Sequence, residues 1–266
     1  MSIDNLLNKP NVPVFPVYEG DEEPTPLEVL DKVGPKLIAG AFHIAAYNAA
    51  QEGRSWGGAT YMGVKTWKWP CDLHLYAELV WELKPRLIIE TGTAFGGSAL
   101  YFAHLLDAIG VGKVVSVDLK PVENSYPRHP RIAYFGGESS VSPNILREVE
   151  GYFASAGCRP LYWKPTPPKM EGGGSGNPCL VVLDSDHSKV HVLQELEHYS
   201  RFVPPGSWLV VEDTNINGHP VYPEFGPGPQ EALDEWLPKH PDFKVDEKRA
   251  AKYLWSMHTW CRRQRV

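Results

Sequence analysis

The chain has 266 residues, 42% of them hydrophobic and 22% charged, with a formal net charge of −6. That length supports one full hydrophobic core, and the acidic balance argues against a nucleic-acid surface. No run of about 18 apolar residues is present to cross a bilayer, and Cys71, Cys158, Cys179 and Cys261 lack the paired spacing of a zinc site or a disulfide framework, so a soluble, reduced, cytoplasmic protein is expected.

The N-terminal sequence MSIDNLLNKPNVPVFP has no apolar h-region, and the prolines and acids of residues 1–27 read as an extended arm. From Leu27 to about Ala50 apolar residues recur at helical spacing, broken near Gly34-Pro35. The following GRSWGGATYMGVKTWKWP is rich in glycine and aromatics without a period, as in loops that line ligand sites. Its Trp56, Tyr61, Trp67 and Trp69 are candidates for an acceptor wall. Lys65 and Lys68 read as surface cations able to neutralise an acidic substrate. Residues 1–70 are thus expected to form an arm and cap, and 71–266 the catalytic α/β unit.

The remainder alternates regularly. Residues 72–83 read as a helix with Asp72 as N-cap, and Arg86–Glu90 as a strand buried on both faces. A helix over 97–109, strands over 113–118 and 132–135, and a helix over 143–156 follow. Strand 180–184, helix 190–201, strand 207–212 and helix 230–237 complete the alternation. Phe243–Val245 and Tyr253–Met257 are expected edge strands, and Arg262, Arg263 and Arg265 a solvated tail. This order predicts an α/β fold with a doubly wound, mostly parallel sheet and helices on both faces. Ligands of such sheets bind beyond the carboxyl ends of the strands, near the switch point.

The residues at those ends carry chemistry. Glu90-Thr-Gly92-Thr-Ala-Phe-Gly96-Gly97-Ser98 puts an acid and then a glycine-rich turn after a buried strand. The glycines let the backbone approach a ligand closely, and the spacing differs from the dinucleotide fingerprint G-x-G-x-x-G. Asp118 ends the next strand and suits two ribose hydroxyls, while Gly136-Gly137-Glu138-Ser139-Ser140 offers small residues beneath a flat ring. Two later strands end in Asp184-Ser-Asp186-His187 and Glu212-Asp213. Neighbouring strand tips lie about 5 Å apart, so four carboxylates crowd together, and a hard divalent cation such as Mg²⁺ relieves that crowding. Glu212 and Asp213 are the firm pair. Asp184 and Asp186 compete for the third position, and the one left over caps a helix. His187 is the candidate base for a substrate hydroxyl, with His191 as rival.

Taken together, MGVKTWKWPCDLHLYAEL, IIETGTAFGGSALYFA, VSVDL, LDSDHS and LVVEDTNINGHP resemble the cephalosporin hydroxylase / rhamnosyl O-methyltransferase family. The resemblance, over roughly residues 55–245, implies a class I methyltransferase using S-adenosylmethionine and Mg²⁺. It implies that Glu90, Gly92 and Asp118 contact the cofactor. Thr93, Gly96, Ser98, Ser139 and Asp184 complete the expected cofactor set. It also implies that Glu212 and Asp213 hold the ion with one acid of the Asp-Ser-Asp-His turn. The 28-residue interval from Asp184 to Glu212 is similar to that of catechol O-methyltransferase-like enzymes. A sugar or other hydroxylated small molecule is the implied acceptor, and a homo-oligomer is expected. An oxygenase activity, methyl transfer to a non-hydroxyl acceptor and a nucleotide-binding scaffold without chemistry are the competing readings.

Overall fold

A computed structural model of the chain describes residues 35–120, 122, 125–157, 177–251 and 256–265. Its first helix, α1, spans Pro35–Gln51, so the expected segment before Gly34 lies outside the described residues. A short antiparallel pair follows, β1 (Thr60–Tyr61) and β2 (Val64–Lys65). Then come α2 (Pro70–Leu83), β3 (Leu87–Thr91), α3 (Gly97–Ile109), β4 (Lys113–Asp118) and β5 (Ile132–Gly136). After α4 (Pro143–Ser155) the order is β6 (Cys179–Leu183), α5 (Lys189–Tyr199), β7 (Trp208–Val211) and α6 (Pro229–Trp236). The last elements are β8 (Phe243–Val245), α7 (Glu247–Ala251) and β9 (Thr259–Arg263).

Seven strands form one sheet in the order β5-β4-β3-β6-β7-β9-β8, with β9 antiparallel to both its neighbours. The first five are parallel, as their continuous apolar runs require. Successive residues of a strand face opposite sides, and the core divides accordingly. Ile89, Val117, Leu183 and Val211 pack with Phe153, Leu196 and Trp236 of α4, α5 and α6. Ile88, Val114, Val182 and Val210 pack with Leu75, Leu79 and Phe102 of α2 and α3. Each fully buried aliphatic side chain contributes roughly 1.5–3 kcal/mol. The doubly wound sheet with both faces covered is the architecture expected from the sequence.

Three local expectations change. Trp69, not Asp72, is the N-cap of α2, because Pro70 at the first helical position starts the helix earlier. Asp72 is instead fully buried in the first turn. Arg262 and Arg263 belong to β9 rather than to a solvated tail, since Trp260 and Cys261 are apolar enough to be drawn into the core. Of the expected strand at 253–257, residues 253–255 lie outside the described residues, and Ser256 and Met257 are not in a strand.

Register fixes the site. Thr91 pairs with Val117 on one side and Leu183 on the other, and Leu183 pairs with Val211. Asp118, Gly92, Asp184 and Glu212 therefore stand in one row across the carboxyl edge, with the switch point between β3 and β6.

Candidate active site

A cavity of about 920 Å³ opens along this row, and Gly92, Thr93, Ser98, Asp118, Ser139 and Asp184 line it. Gly92 has φ +88°, and a Cβ there would overlap the Asp184 carbonyl oxygen. Only glycine fits where β3 and β6 converge. Asp118 accepts hydrogen bonds from Ala94 N and Lys120 N, both at 2.9 Å, which hold its carboxylate at the rim. Ser139 and Ser140 line the wall beyond β5, whereas Gly136 and Gly137 do not. Gly96 is also absent from the wall. With φ +79° it begins α3, and a Cβ there would press on Pro127 and the Tyr134 hydroxyl.

Glu90 lies beneath the floor, fully buried. Ser116 Oγ donates to its Oε2 at 2.8 Å and contacts Thr93 Oγ1 at 2.8 Å. Burial raises the Glu90 carboxyl above its usual range, against the opposing pull of Lys68 and the Ser98 and Ser116 hydroxyls. Its Oε1 is buried and, among the described residues, has no partner at full hydrogen-bond geometry, the Ser98 hydroxyl being the nearby donor. A buried acceptor left open next to Ser98, itself a wall residue, fits a donor group on a ligand.

On the other side of the row stands a buried charge network. The Lys68 ammonium, about 2% exposed, bridges Asp184 Oδ2 and Glu212 Oε2, the latter at 2.7 Å. Tyr76 donates to Glu212 Oε1 at 2.6 Å. His258 Nε2 sits 3.4 Å from Glu212 Oε2 and 3.3 Å from Asp72 Oδ2, while its Nδ1 accepts from Asp213 N at 3.1 Å. Burial disfavours the charge on Lys68, but Asp184, Glu212 and Glu90 outweigh it and keep the ammonium protonated. One ammonium cannot fully match two carboxylates, so the pair splits. Burial and then Glu212 push Asp184 well above the usual range. Burial also acts to raise Glu212, but His258, Lys68 and the Lys68 and Tyr76 hydrogen bonds overcome it and hold that carboxyl low.

Asp213 completes the cluster. Its φ of +52° is a costly conformation for an aspartate. Tyr47 of α1 donates to Asp213 Oδ1 at 2.8 Å, and its hydroxyl is also 3.1 Å from Asn215 Oδ1. His187 Nε2 is 3.3 Å from Asp213 Oδ2. Asp184, His187 and Asp213 each offer one ligand atom, all within 4.8 Å of one another. Asp186 stays outside, exposed, with Oδ1 accepting from Ser188 N at 2.7 Å ahead of α5. His191 is engaged elsewhere. It contacts Ser140 Oγ at 3.0 Å and Ser185 Oγ at 3.1 Å, and its hydrogen bond to Glu195 raises its pKa.

Asp118, Asp184, Asp186, Glu212 and Asp213 all line the one cavity, with Glu90 one layer below the wall, but Asp186 stands apart from the Asp184–His187–Asp213 cluster. Lys68 was read as a surface cation and is instead the buried counter-charge of the cluster, unavailable to an acidic substrate. Trp56, Trp67 and Trp69 line the cavity, whereas Tyr61 packs on Tyr101 and His104. Sequence reasoning missed Tyr47, Tyr76 and His258. Only Tyr76 left a trace, four residues after Asp72 on one helix face.

The family model described as Rhamnosyl O-methyltransferase/CmcI matches residues 54–157 and 171–264. The chain belongs to this family. Among curated relatives, the rhamnosyl O-methyltransferase of Mycobacterium tuberculosis (strain ATCC 25618 / H37Rv) is 39% identical over 205 residues, 76% of each chain. That of Mycobacterium leprae (strain TN) is 36% identical over 207 residues, 77% of this chain and 82% of its own. Family membership at this level makes the protein an enzyme, an O-methyltransferase that draws on S-adenosylmethionine. Among solved structures, an apo form of CmcI aligns with TM-score 0.54 at 18% identity, covering 78% of this chain and 77% of that one. A CmcI structure with Mg and SAM aligns with TM-score 0.53 at 16% identity and the same coverage. These two alignments establish a shared fold.

Proposed function

We propose that the protein methylates a hydroxyl of a glycoside, using S-adenosylmethionine and a divalent cation such as Mg²⁺. The observation that carries this reading is the single cavity joining Gly92, Asp118 and Ser139 on one side to Asp184, His187 and Asp213 on the other. Asp118, Gly92, Thr93, Ser98 and Ser139, which line the cofactor side of the cavity, would hold the cofactor, with Asp118 suited to its ribose hydroxyls. Asp184 and Asp213 would hold the cation, and Glu212 shares Lys68 with Asp184. Three carboxylates against one ammonium leave a formal charge of −2 when all are ionised, which a hard divalent ion matches. Asp186 is not the N-cap expected of the leftover acid, because Ser188 caps α5 and Asp186 only accepts from the Ser188 amide in the turn before it.

When bound, the cofactor supplies an electrophilic methyl group and the ion lowers the pKa of the acceptor hydroxyl. His187 takes the proton on its imidazole, and Asp213 Oδ2, 3.3 Å from Nε2, stabilises the cation so formed. Tyr47 and the His258 ring fix Asp213 from two directions, so the base is positioned before substrate arrives. The rhamnosyl acceptor named for the mycobacterial relatives supports a sugar hydroxyl here. We place that acceptor in secondary metabolism and the enzyme in the cytoplasm. Residues 35–70 act as the cap, and exposed Trp81, Leu119 and Val190 support subunit contacts in a homo-oligomer.

The test is turnover with S-adenosylmethionine and a panel of rhamnosides and other glycosides, with Mg²⁺ or with EDTA. S-adenosylhomocysteine and a singly methylated glycoside should form only with the ion. An EDTA-insensitive rate, or no product from any hydroxylated acceptor, breaks the reading. Equal turnover without oxygen separates it from oxygenation.

A further inference from the structure

The mechanism above makes no use of Glu195, whose carboxyl is fully buried on α5. Ser140 Oγ, from the loop after β5, donates to its Oε1 at 2.6 Å. Ser185 Oγ, from the turn after β6, donates to the same oxygen at 2.7 Å. Each hydroxyl has one hydrogen and commits it there. His191 Nε2, 3.0 Å from Ser140 Oγ and 3.1 Å from Ser185 Oγ, is therefore the donor to both. Tyr199, one turn beyond Glu195, donates to the Ser140 carbonyl at 2.7 Å. Among the described residues Glu195 forms an ion pair with His191 alone, and its Oε2 is buried without a hydrogen-bond partner. A carboxyl in that setting costs stability, so stability does not account for it.

Its position does. β4 and β3 stand between β5 and β6 in the sheet, so no strand pairing joins the two loops. Both loops nevertheless line the active-site cavity, Ser139 and Ser140 on the cofactor side and Asp184, Ser185 and His187 on the ion side. We propose that Glu195 is a positioning residue that ties these two walls together, so that cofactor and divalent cation bind cooperatively and the base keeps its place relative to the methyl group. The proposal rests on the methyl-transfer reading and adds a coupling between the two ligands of that site. Glu195 does not line the cavity and acts through Ser140, Ser185 and His191. A ligand that orders one loop fixes Glu195 Oε1, and that oxygen orders the other loop through its second hydroxyl. Cutting the link leaves both walls present but no longer in register, and such a displacement lowers the rate more than the affinity.

The experiment is titration calorimetry of S-adenosylhomocysteine on the full chain, with saturating Mg²⁺ and with EDTA, for the wild type, Glu195→Ala and Glu195→Gln. In the wild type the ion should tighten S-adenosylhomocysteine by about fivefold or more, and S-adenosylhomocysteine should tighten Mg²⁺ by the same factor. Glu195→Ala should lose that factor while binding S-adenosylhomocysteine in EDTA within about threefold of the wild type. Turnover of a glycoside acceptor by this variant should show kcat lowered by about tenfold or more and KM within about threefold. Glu195→Gln keeps an oxygen for both hydroxyls and should retain the coupling, which a role resting on charge would not. Ser185→Ala cuts the link at one end without touching the core and should lose the coupling too, so the test stands even where Glu195→Ala fails to fold. A wild type that binds the two ligands independently, or a folded Glu195→Ala or Ser185→Ala variant with the coupling intact, overturns the proposal. Cooperative binding that depends on Glu195, in a wild type that methylates no hydroxyl, supports the link and counts against methyl transfer.

Discussion

The two halves of the cavity are built differently. On the cofactor side, Glu90, Gly92, Thr93, Ser98 and Asp118 come from two adjacent strands, the turn after β3 and the first turn of α3, within 29 residues. On the ion side, Tyr47, Lys68, Asp184, Glu212, Asp213 and His258 come from segments far apart in the chain, with Lys68 and Glu212 separated by 144 positions. The first half holds a ligand with backbone geometry. The second holds charge, and a buried charge must be matched by partners wherever the fold can supply them. A strand-and-turn motif therefore tolerates local change around it, whereas a charge cluster depends on distant contacts.

The sharpest break of that contrast is Lys68→Ala. Removing the buried cation leaves Asp184 and Glu212 facing each other, and a loss of roughly 3–5 kcal/mol is expected. Chemical denaturation should read it, with Mg²⁺ restoring more stability to the variant than to the wild type. A variant as stable as the parent would mean the cluster is not a matched charge group. Next is His187→Ala. The side chain is about 30% exposed, so the fold should persist while kcat falls by at least about tenfold and up to ~10⁴-fold. Unchanged turnover removes His187 from proton transfer.

A smaller effect is expected from Glu231→Gln. Glu231 accepts from His219 at 2.8 Å, Asn217 at 2.9 Å and Gly228 N at 2.7 Å, tying down the loop that carries Tyr222 and Phe225. Burial acts to raise its carboxyl, but His219, the Gly228 amide and Asn217 overcome it and hold it at about 2. A depressed carboxylate stabilises the fold above its unfolded pKa, near 4.5 for glutamate, and that contribution fades as pH falls from 4.5 toward 2. The variant should lose about 1 kcal/mol at neutral pH, and the denaturation curves should draw together as pH falls below 4.5 and meet only near pH 2. A gap that widens in acid contradicts this assignment. The mildest case is Asp186→Ala, which removes the acceptor of the Ser188 amide. Stability should fall by no more than about 1 kcal/mol, and Mg²⁺ affinity by calorimetry should stay within about threefold, whereas Asp184→Ala should abolish it. Equal losses in the two variants would return Asp186 to the ion site.

What the sequence revealed follows the same division. Apolar runs such as Ile88-Ile89 and Leu180–Leu183 are legible because a strand buried on both faces has no polar positions to hide. The acids at their ends were legible because the topology puts strand tips side by side. Asp184 and Asp186 could not be separated, since both follow the same strand and only the turn geometry sends one inward and leaves the other on Ser188. Lys68 resembles any surface lysine until β6 and β7 are placed beneath it. His258 and Tyr47 carry no local pattern, because their partner Asp213 is 45 and 166 positions away. β9 was misplaced because its arginines disguised a strand whose inward residues are Trp260 and Cys261.

His258 lies just before β9, and its ring accepts from the Asp213 amide. The order of assembly follows from that placement. Local pairings can bring the nucleoside half together early, because closing short loops costs little entropy. The half that handles the proton waits for residues 256–263 to add as an antiparallel strand beside β7. Competence to bind the cofactor should therefore precede competence to turn over during refolding, with docking of this late strand as the dividing event.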